Sequence, residues 1–527
     1  MHWIFCRMKR GRSAVVCGWM LTLAVINVIA ADQPQWGQRW SRNLVSGETN
    51  LPETFDLKTG KNIEWSVQLG SETHATPVVA HGRVFIGTNN NHPRDPKHQG
   101  DRGVLMCFNE ANDELLWQLV VPKREGDIYL DWPNSGLCSP PTIEGDRVYV
   151  LSNRGEVMCL DINGLANGND GPFQDEGVHM TPSGTPPMQP GPLDADIIWI
   201  FDLVSGVGIH SHDAAHASIL QLGQYLYLNT CNGVDNTHRR IRSPDAPSLV
   251  VLDKATGRLV AQDAEHIGPR IFHCTWSSPA FGEVNGKPEI IFAGGDGVVY
   301  AFEPFAPADG NTSSGVQKTD NAGPVQSTNS VAALRKLWQF DCDPTAPKTN
   351  VHRFVGNRRE SPSNIKSMPV FHQNRVYVTV GGDLWWGKNQ AWLKCIDATQ
   401  SGDITHSGEL WSYPLERHCM CTPAVYHGLV FVGDSGRRIH CVDADTGRPY
   451  WTQETQGEVW ASPLVADGKV YFATRQGEFW VFAASKEKKV LSTIDLGEPI
   501  SSTPVAANGV LYVTTMSHLY AIRKSSP

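Results

Sequence analysis

The pattern of apolar and polar positions in residues 457–500 recurs along most of the chain. Pro463 leads into an apolar run, and Asp467-Gly468 gives the first turn signal. Residues 470–474 then alternate, and a second glycine turn and a further apolar run follow. Short runs of this kind, separated by glycine turns, are typical of a β-meander. The pattern predicts about four short strands in a unit of roughly 40 residues.

Eight copies of the unit can be aligned on the position of Pro463. The second strand begins seven positions later, at Val470. The same offset holds in five other copies, which begin at Pro77, Pro141, Pro369, Pro423 and Pro504. Two altered copies begin at Ser218, which replaces the proline, and at Pro279, which has a longer turn. Because one such blade cannot bury both faces, the copies must stack. We predict an all-β, eight-bladed β-propeller of four-stranded antiparallel blades.

A turn of the form Asp-x-x-Thr-Gly precedes the outer strand at residues 253–257 and 443–447. A further copy at residues 56–60 leads to Trp65 but has no inner strands of its own. We interpret it as the outer strand of the last blade, whose other strands end at Ile522. Pairing the two ends of the chain would close the ring and remove exposed sheet edges.

The start of the chain has the pattern of a secretory signal. Residues 1–12 are basic, residues 14–30 are apolar, and small residues suit cleavage near Ala30 or Ala31. We expect a signal peptide at 1–31, a lead-in segment at 32–55 and one propeller domain at 56–527. The location would be periplasmic or extracellular. The apolar run is shorter than the ~20 residues of a spanning helix, so we expect no transmembrane span after cleavage. Whether the segment is cleaved stays open.

The net charge gives no support for nucleic-acid binding, and the spacing of four cysteines indicates that they form no disulfides with one another. A net charge of -9 provides no basic footprint for nucleic acid. Four cysteines share one repeat position near the end of the third strand, Cys107, Cys159, Cys395 and Cys441, where other copies carry Ala301, Ala483 and Ala521. Equivalent atoms of different blades should lie beyond the ~7 Å limit of a disulfide, so we expect free packing residues. The state of six others is undecided, namely Cys138, Cys231, Cys274, Cys342, Cys419 and Cys421. Six recurring tryptophans should pack between blades, and these are Trp65, Trp117, Trp199, Trp338, Trp411 and Trp451.

Histidine, cysteine and tryptophan gather just before the first strand of several copies, where eight entrances converge on the propeller axis. Imidazoles and thiols bind soft or borderline metals, which gives the candidate ligands His74, His216, His273, His418 and Cys421. Aromatic faces can stack on a planar cofactor. The candidate cofactor contacts are Trp276, Trp460, Lys366, His74 and His216. No catalytic residue is assigned. The alternative is a polar channel lining that binds nothing specific.

Insertions between the second and third strands fall on the same face as these entrances, at 89–102, 232–247 and 381–392. They carry His, Arg and Trp, which favours this face for binding. Insertions at 162–196 and 303–334 lie between third and fourth strands, hence on the opposite face. Their composition predicts poorly ordered loops.

The repeat unit reads Ser/Thr-Pro-Val-Val-x-x-Gly-x-Val-Tyr-Val, then a glycine hairpin, an apolar strand ending in Asp, and Thr-Gly-x-x-x-Trp. It resembles the repeat of the PQQ-like (pyrroloquinoline quinone) β-propellers of the quinoprotein alcohol dehydrogenase-like superfamily. The resemblance covers nearly all of the mature chain, most closely at 417–522. It implies two kinds of function. Quinoprotein dehydrogenases hold PQQ and calcium in the axial funnel, whereas other members are scaffolds of outer-membrane β-barrel assembly.

The quinoprotein alcohol dehydrogenases resemble one another in an adjacent Cys-Cys pair, which this sequence lacks. Their calcium-binding Glu and Asn and their catalytic Asp have no matching motif here, and C-x-x-C-H for haem c is absent. We therefore predict an exported, monomeric binding or assembly scaffold. Its partner at the funnel face would be a protein, a glycan or a small molecule. The competing hypothesis is a PQQ- or metal-dependent alcohol or sugar dehydrogenase with its cofactor in the funnel. Enzymatic activity and cofactor stay open.

Overall fold

The computed structural model describes residues 31–124, 130–213, 215–307 and 331–525. The predicted signal peptide lies outside this part, except for Ala31. The helices of the described part are short, α1 (Glu176–His179), α2 (Leu203–Val207) and three 3-10 turns at Gly164–Asn167, Gly268–Arg270 and Val351–Phe354. Within the described residues, none of the helices has the length and apolar character needed to cross a membrane.

The strands form eight sheets, each an antiparallel meander. β1 (Ile63–Gln68) precedes the first complete blade. Blade 1 contains β2 (Val78–Ala80), β3 (Arg83–Asn89), β4 (Arg102–Asn109) and β5 (Leu115–Pro122). Blade 2 contains β6 (Thr142–Glu144), β7 (Arg147–Leu151), β8 (Glu156–Asp161) and β9 (Ile197–Asp202). Blade 3 contains β10 (Leu220–Leu222), β11 (Tyr225–Asn229), β12 (Leu249–Asp253) and β13 (Leu259–Gln262). Blade 4 contains β14 (Ala280–Val284), β15 (Lys287–Ala293), β16 (Val298–Phe302) and β18 (Lys336–Asp341). Blade 5 contains β19 (Ser363–Asn364), β20 (Val370–His372), β21 (Arg375–Gly382), β22 (Ala391–Asp397) and β24 (Glu409–Leu415). Blade 6 contains β25 (Ala424–Tyr426), β26 (Leu429–Asp434), β27 (Arg438–Asp443) and β28 (Pro449–Glu454). Blade 7 contains β29 (Leu464–Ala466), β30 (Lys469–Ala473), β31 (Glu478–Ala483) and β32 (Val490–Asp495). Blade 8 contains β33 (Val505–Ala507), β34 (Val510–Thr514) and β35 (His518–Ile522). Two short strands add parallel edges to blades 3 and 4, β17 (Ala332–Ala333) and β23 (Gly402–Asp403).

The prediction of an eight-bladed propeller is confirmed, and so is its closure by the chain ends. β1 pairs antiparallel with β35 and supplies the outer strand of blade 8, with Trp65 opposite Ala521. The ring therefore has no open end between first and last blade. Such closure satisfies the backbone groups that a free edge would expose.

Each blade balances residue volume between its third and outer strands. Cysteine or alanine stands opposite tryptophan in six blades, in the pairs Ala521–Trp65, Cys107–Trp117, Cys159–Trp199, Ala301–Trp338, Cys395–Trp411 and Cys441–Trp451. In blade 7 the equivalent residue is Val481, opposite the small Ser492, so the assignment of Ala483 to this position was wrong by two residues. All ten cysteines of the described part are free and buried. The third-strand position opposite the outer-strand residue is therefore constrained by side-chain volume. A residue as large as Val481 occurs there because the residue opposite it, Ser492, is small.

The tryptophans link neighbouring blades. The indole Nε1 of Trp117 donates to the Ile162 carbonyl oxygen of the next blade at 2.9 Å. Trp411 does the same to Ala444 at 3.0 Å. In the Asp-x-x-Thr-Gly turn, Gly447 has a positive φ of 70°, and a Cβ there would lie 2.6 Å from the Trp411 ring. Glycine is required at this turn because both the backbone conformation and the indole exclude a side chain.

The lead-in segment closes the far end of the axial channel. Residues 33–46, here named the plug, contact the innermost strand or its entrance in all eight blades. The backbone partners are Val79, Ile143, Ser218, Phe281, Phe371, Val425, Val465 and Ala506. These hydrogen bonds connect all eight blades to one segment. The sequence placed this segment before the propeller but assigned it no position in the ring.

Arg42 anchors the plug. Its side chain is fully buried and donates to the carbonyl oxygens of Pro279, Trp36 and Ser218 and to the Ser218 hydroxyl. Burial lowers the pKa of Arg42 to about 9. The guanidinium is held by neutral acceptors, because its five donors match a ring of carbonyl groups.

The insertion at 162–196 differs from its prediction. It carries α1, buries Glu176 and Met180, and lies along β5 through a bridge between Gln118 and Asp194. Lys97 and Asp194 form an ion pair at 2.7 Å across this contact. The segment is thus packed onto blade 1. Of the second predicted loop, residues 308–330 lie outside the described part.

Candidate functional site

The entrances of the blades surround an axial funnel with a cavity of about 480 Å³. Trp36 of the plug lies among its lining residues and donates from its indole Nε1 to Thr503 at 3.1 Å. Since the plug spans the channel below, the funnel is blind. The insertions lie around the opposite, open face of the funnel.

Tryptophan dominates the wall of the funnel. Six indoles line it, from Trp36, Trp132, Trp276, Trp385, Trp386 and Trp460. All five predicted cofactor contacts also line it, namely Trp276, Trp460, Lys366, His74 and His216. The ring centroids of Trp276 and Trp385 lie 6.2 Å apart, and those of Trp385 and Trp460 lie 6.0 Å apart, in edge-to-face arrangements. These faces enclose a site suited to a ring-bearing molecule.

The insertions supply site residues that were not selected from the sequence. Trp385 and Trp386 belong to the β21–β22 insertion, and His238 belongs to the β11–β12 insertion. The sequence predicted only that both insertions lie on this face. It did not predict which of their residues belong to the site. Which of their side chains turns into the funnel depends on loop conformation. His238, for example, adopts a positive φ of 57°.

A buried charged network stands behind the wall. Asp383 accepts hydrogen bonds from Lys366 Nζ at 2.9 Å, from His273 Nδ1 at 3.0 Å and from Asn364 at 3.2 Å. The backbone N–H groups of Trp385 and Trp386 donate to its other oxygen at 3.0 and 2.9 Å. The carboxylate therefore fixes both the insertion and the histidine.

The cation of this network faces the indoles. Lys366 Nζ lies 4.6 Å from the ring centroid of Trp276 and 4.2 Å from that of Trp385. Burial would lower the pKa of Lys366, but the charge of Asp383 raises it above its usual value. Burial would raise the pKa of Asp383, but Lys366 and His273 hold it well below its usual value. Both groups are thus charged at neutral pH, and their charges compensate each other.

Three imidazoles converge beside this network. The ligand atoms of His212, His238 and His273 all lie within 4.8 Å of one another. The Nε2 atoms of His212 and His238 are 3.0 Å apart, and Asp213 Oδ2 lies 3.2 Å from His212 Nε2. Burial lowers the pKa of His273 to about 4. Neutral imidazoles with one carboxylate are a donor set for transition metals.

The other predicted metal ligands lie elsewhere. His74 and His216 line the funnel as neighbours, with ring centroids 6.2 Å apart, but stand outside the three-histidine group. His418 is buried, and burial lowers its pKa to about 3. Cys421 packs in the apolar core with Val430 and accepts from the Gly433 N–H at 3.3 Å. Of the five predicted ligands, His273 alone belongs to the group of three.

The donor set does not suit the calcium–quinone pair of the quinoprotein dehydrogenases. Calcium takes six to eight oxygen ligands, whereas imidazoles and one carboxylate converge here. The cysteines of the described part are all free and buried, so none of them forms the disulfide of those enzymes. The basic groups are also compensated, Lys366 by Asp383, while Glu72 and Glu458 act on Arg475. A planar cofactor carrying several carboxylates would find no net positive charge.

Comparison with protein families gives one match. Residues 389–490 match the family model described as "PQQ_2: Outer membrane protein assembly factor BamB". The match spans blades 6 and 7 and part of blade 5. No curated protein sequence matches the chain.

Comparison with solved structures extends the likeness to the whole ring. BamB from Moraxella catarrhalis aligns with a TM-score of 0.50 and 11% identity, covering 88% of this chain and 97% of that one. A europium-containing methanol dehydrogenase aligns with a TM-score of 0.56 and 10% identity, covering 94% of this chain and 98% of that one. Identities this low establish the fold alone. With the family match, they confirm the predicted resemblance to PQQ-like β-propellers.

Proposed function

We propose that this PQQ-like β-propeller acts on a small organic molecule held in its axial funnel. The observation that carries the proposal is the blind, indole-lined cavity. A surface used only for protein assembly has no need of a closed floor, six converging indoles and a buried Lys366–Asp383 pair. Sites with such features are typical of small-molecule enzymes. The competing enzyme hypothesis is thus favoured over the scaffold.

The ligand is an uncharged, ring-bearing polar molecule. Trp276, Trp385 and Trp460 offer apolar faces at right angles to one another. Hydroxyl groups lie between them on the wall, from Thr76, Ser135, Ser462, Ser501 and Thr503. Because Asp383 compensates the charge of Lys366, and Glu72 and Glu458 act on Arg475, the wall offers no free positive charge to an anionic ligand. Neutral sugars and phenols have this chemistry.

Direct binding tests the proposal. Purified protein is titrated with a panel of neutral mono- and disaccharides and phenols by calorimetry and indole fluorescence, with PQQ plus calcium as a comparison. Trp460→Ala and Trp276→Ala should each weaken binding at least tenfold. The matched control is Trp480→Ala, which changes an indole of blade 7 that stacks on Phe482, outside the funnel.

Two outcomes would count against an uncharged, ring-bearing ligand in the funnel. One is a wild-type protein that binds no member of the panel. The other is saturable binding of PQQ plus calcium that depends on Trp276 and Trp460, which would restore the quinoprotein assignment.

An assembly scaffold remains the second candidate, and the family match of residues 389–490 favours it. If it is correct, loss of the protein from its host lowers the amounts of outer-membrane proteins. Funnel variants such as Trp276→Ala would then restore those amounts as well as the wild type does. Under the enzyme hypothesis they would fail to restore the function that the deletion removes.

We also infer export to the periplasm or the extracellular space, which the basic and apolar start of the chain supports. Cell fractionation followed by intact-mass measurement tests this. Recovery of the full-length chain in the cytoplasm would contradict it.

A further inference from the structure

We propose that His212, His238, His273 and Asp213 form a zinc-type metal centre on the funnel wall. The inference rests on the geometry of these four side chains and stands whether or not the funnel holds an organic ligand.

The distances between the donor atoms suit one ion. His212 Nε2 lies 3.0 Å from His238 Nε2 and 3.2 Å from Asp213 Oδ2, and His273 Nε2 lies 3.7 Å from the same oxygen. Four ligands placed tetrahedrally at 2.0–2.2 Å from zinc are separated by roughly 3.3–3.6 Å. The three spacings above lie close to that range, and the donor atoms of the three histidines all lie within 4.8 Å of one another, so side-chain movements alone would complete the site.

Hydrogen bonds within the group do not satisfy its members. His273 Nε2, which faces Asp213 Oδ2, is buried without a hydrogen-bond partner in the described part of the chain. If the His212–His238 contact were an N–H···N bond, His273 Nε2 would still lack a partner. Buried polar atoms without partners are uncommon, and a bound ion is one of their ordinary explanations. A single cation would take up a lone pair from each imidazole.

The surroundings of His273 select its metal-binding form. Its Nδ1 donates to Asp383 Oδ2 at 3.0 Å, which leaves the lone pair on Nε2 directed toward the other ligands. A carboxylate behind a ligating histidine fixes ring orientation and raises ligand basicity. Asp383 is itself fixed by Lys366 and Asn364. It is a positioning residue, since it acts on the centre through His273.

The backbone adopts costly conformations at the ligands. Asp213 and His238 both have positive φ, 64° and 57°. Non-glycine residues in this region are strained and cluster at functional sites. The rings are also held by indoles, with Trp386 4.9 Å from His238 and Trp385 5.4 Å from His273. The arrangement thus holds the ligands in place from both backbone and side chain.

The centre faces the site of the proposed ligand. Asp213, His238 and His273 all line the funnel cavity. An ion held by these residues would therefore lie at the cavity wall, beside the proposed ligand. Three nitrogens and one oxygen favour zinc and its neighbours, Co²⁺, Ni²⁺ and Cu²⁺, over calcium and magnesium.

The test uses the untagged protein as purified from its host. Metal content is measured by mass spectrometry, and the chelator-treated protein is titrated with Co²⁺, whose visible absorption reports imidazole ligation. We expect about one equivalent of a transition metal and a saturable Co²⁺ band. Bound metal should also raise the melting temperature, since it binds only the folded state.

Variants separate this centre from other histidines. His238→Ala, on a surface insertion where loss of the ring should leave the blades intact, should lower Co²⁺ affinity at least 100-fold and abolish the metal-dependent rise in melting temperature. His74→Ala and His216→Ala are matched controls and should keep both. Absence of metal and of a Co²⁺ band in the wild type would overturn the proposal. Unchanged Co²⁺ affinity in His238→Ala would do so as well.

Discussion

His273 Nδ1 and Asp383 Oδ2 lie 3.0 Å apart although 110 residues separate them in the sequence. The contact joins the entrance of blade 4 to the insertion of blade 5. Since Asp383 also holds the charge of Lys366, one carboxylate positions a histidine, a lysine and two tryptophans. The funnel wall thus depends on a residue that lies behind it.

Asp383→Asn should be strongly destabilising. The substitution leaves Lys366 charged, buried and unpaired, which typically costs about 3–5 kcal/mol of unfolding free energy. Urea denaturation measures the change. The double variant Lys366→Met/Asp383→Asn removes the orphaned charge and should recover part of the loss. Equal stability of the single and double variants would show that the ion pair is not what the carboxylate supports.

The plug should be essential to the stability of the ring. Arg42→Ala removes the donor from the buried carbonyl oxygens of Pro279 and Ser218 and opens a cavity, so we expect a loss of about 4 kcal/mol. The control is Arg39→Ala, an exposed neighbour that bonds Gln221, which should change stability by no more than about 0.5 kcal/mol. Thermal unfolding of both variants provides the comparison. A tolerated Arg42→Ala would mean that the blades close the channel without the plug.

Volume should decide which residues are accepted opposite the inter-blade tryptophans. Cys441→Ala should cost less than about 1 kcal/mol, because alanine occupies this position in two other blades. Cys441→Leu should cost about 1–3 kcal/mol, because it overpacks against Trp451. Val481→Leu, opposite the small Ser492, serves as the control and should be milder. Denaturant midpoints rank the three, and equal losses for both leucine variants would contradict the volume argument.

Asp196 should make the protein less stable as the pH rises. Burial, with the nearby carboxylates of Asp161 and Glu176, raises the pKa of Asp196 to about 6. An unfolded aspartate has a pKa near 3.9, so the folded state binds the extra proton between these values. The stabilising contribution is therefore complete below about pH 4 and lost as the pH rises through 6.

Asp196→Asn should remove this dependence. At pH 7.5 the variant should be more stable than the wild type by about 1 kcal/mol, after allowance for screening, and at pH 4 the two should agree. Exposed Asp495 of blade 7, whose Oδ1 accepts from the Gly497 N–H at 2.9 Å, provides the control variant Asp495→Asn. Denaturant unfolding at the two pH values tests the sign, and a destabilised Asp196→Asn at pH 7.5 would reverse it.

Cleavage after Ala30 would place a new ammonium group beside a carboxylate. The Ala31 nitrogen lies 2.8 Å from Glu48 Oε1, and the other oxygen of Glu48 accepts from the Gly509 N–H at 2.7 Å. Of the two cleavage positions that the sequence suggests, after Ala30 or after Ala31, this contact favours the first, so we expect intact mass to show a mature chain that begins at Ala31 and not at residue 32. Glu48→Gln should lower its stability by about 1–2 kcal/mol, since a charge-assisted bond becomes a neutral one.

The sequence alone determined the ring. Its repeat fixes the number of blades, because each blade buries its faces only against a copy of itself, and the orphan strand at Trp65 fixes how the ends meet. The same repeat places Trp276, Trp460, Lys366, His74 and His216 at the axis, since every first strand starts there.

The tertiary structure decided the positions of the segments that are not part of the sequence repeat, which are the plug and the insertions. The plug has no repeat, and its carbonyl groups find their partners only when eight blades surround them. His238, Trp385 and Asp383 lie on insertions or turns whose direction depends on loop conformation and not on strand register. The group of His212, His238 and His273 therefore forms only when three separate segments pack together, and no spacing along the chain specifies it.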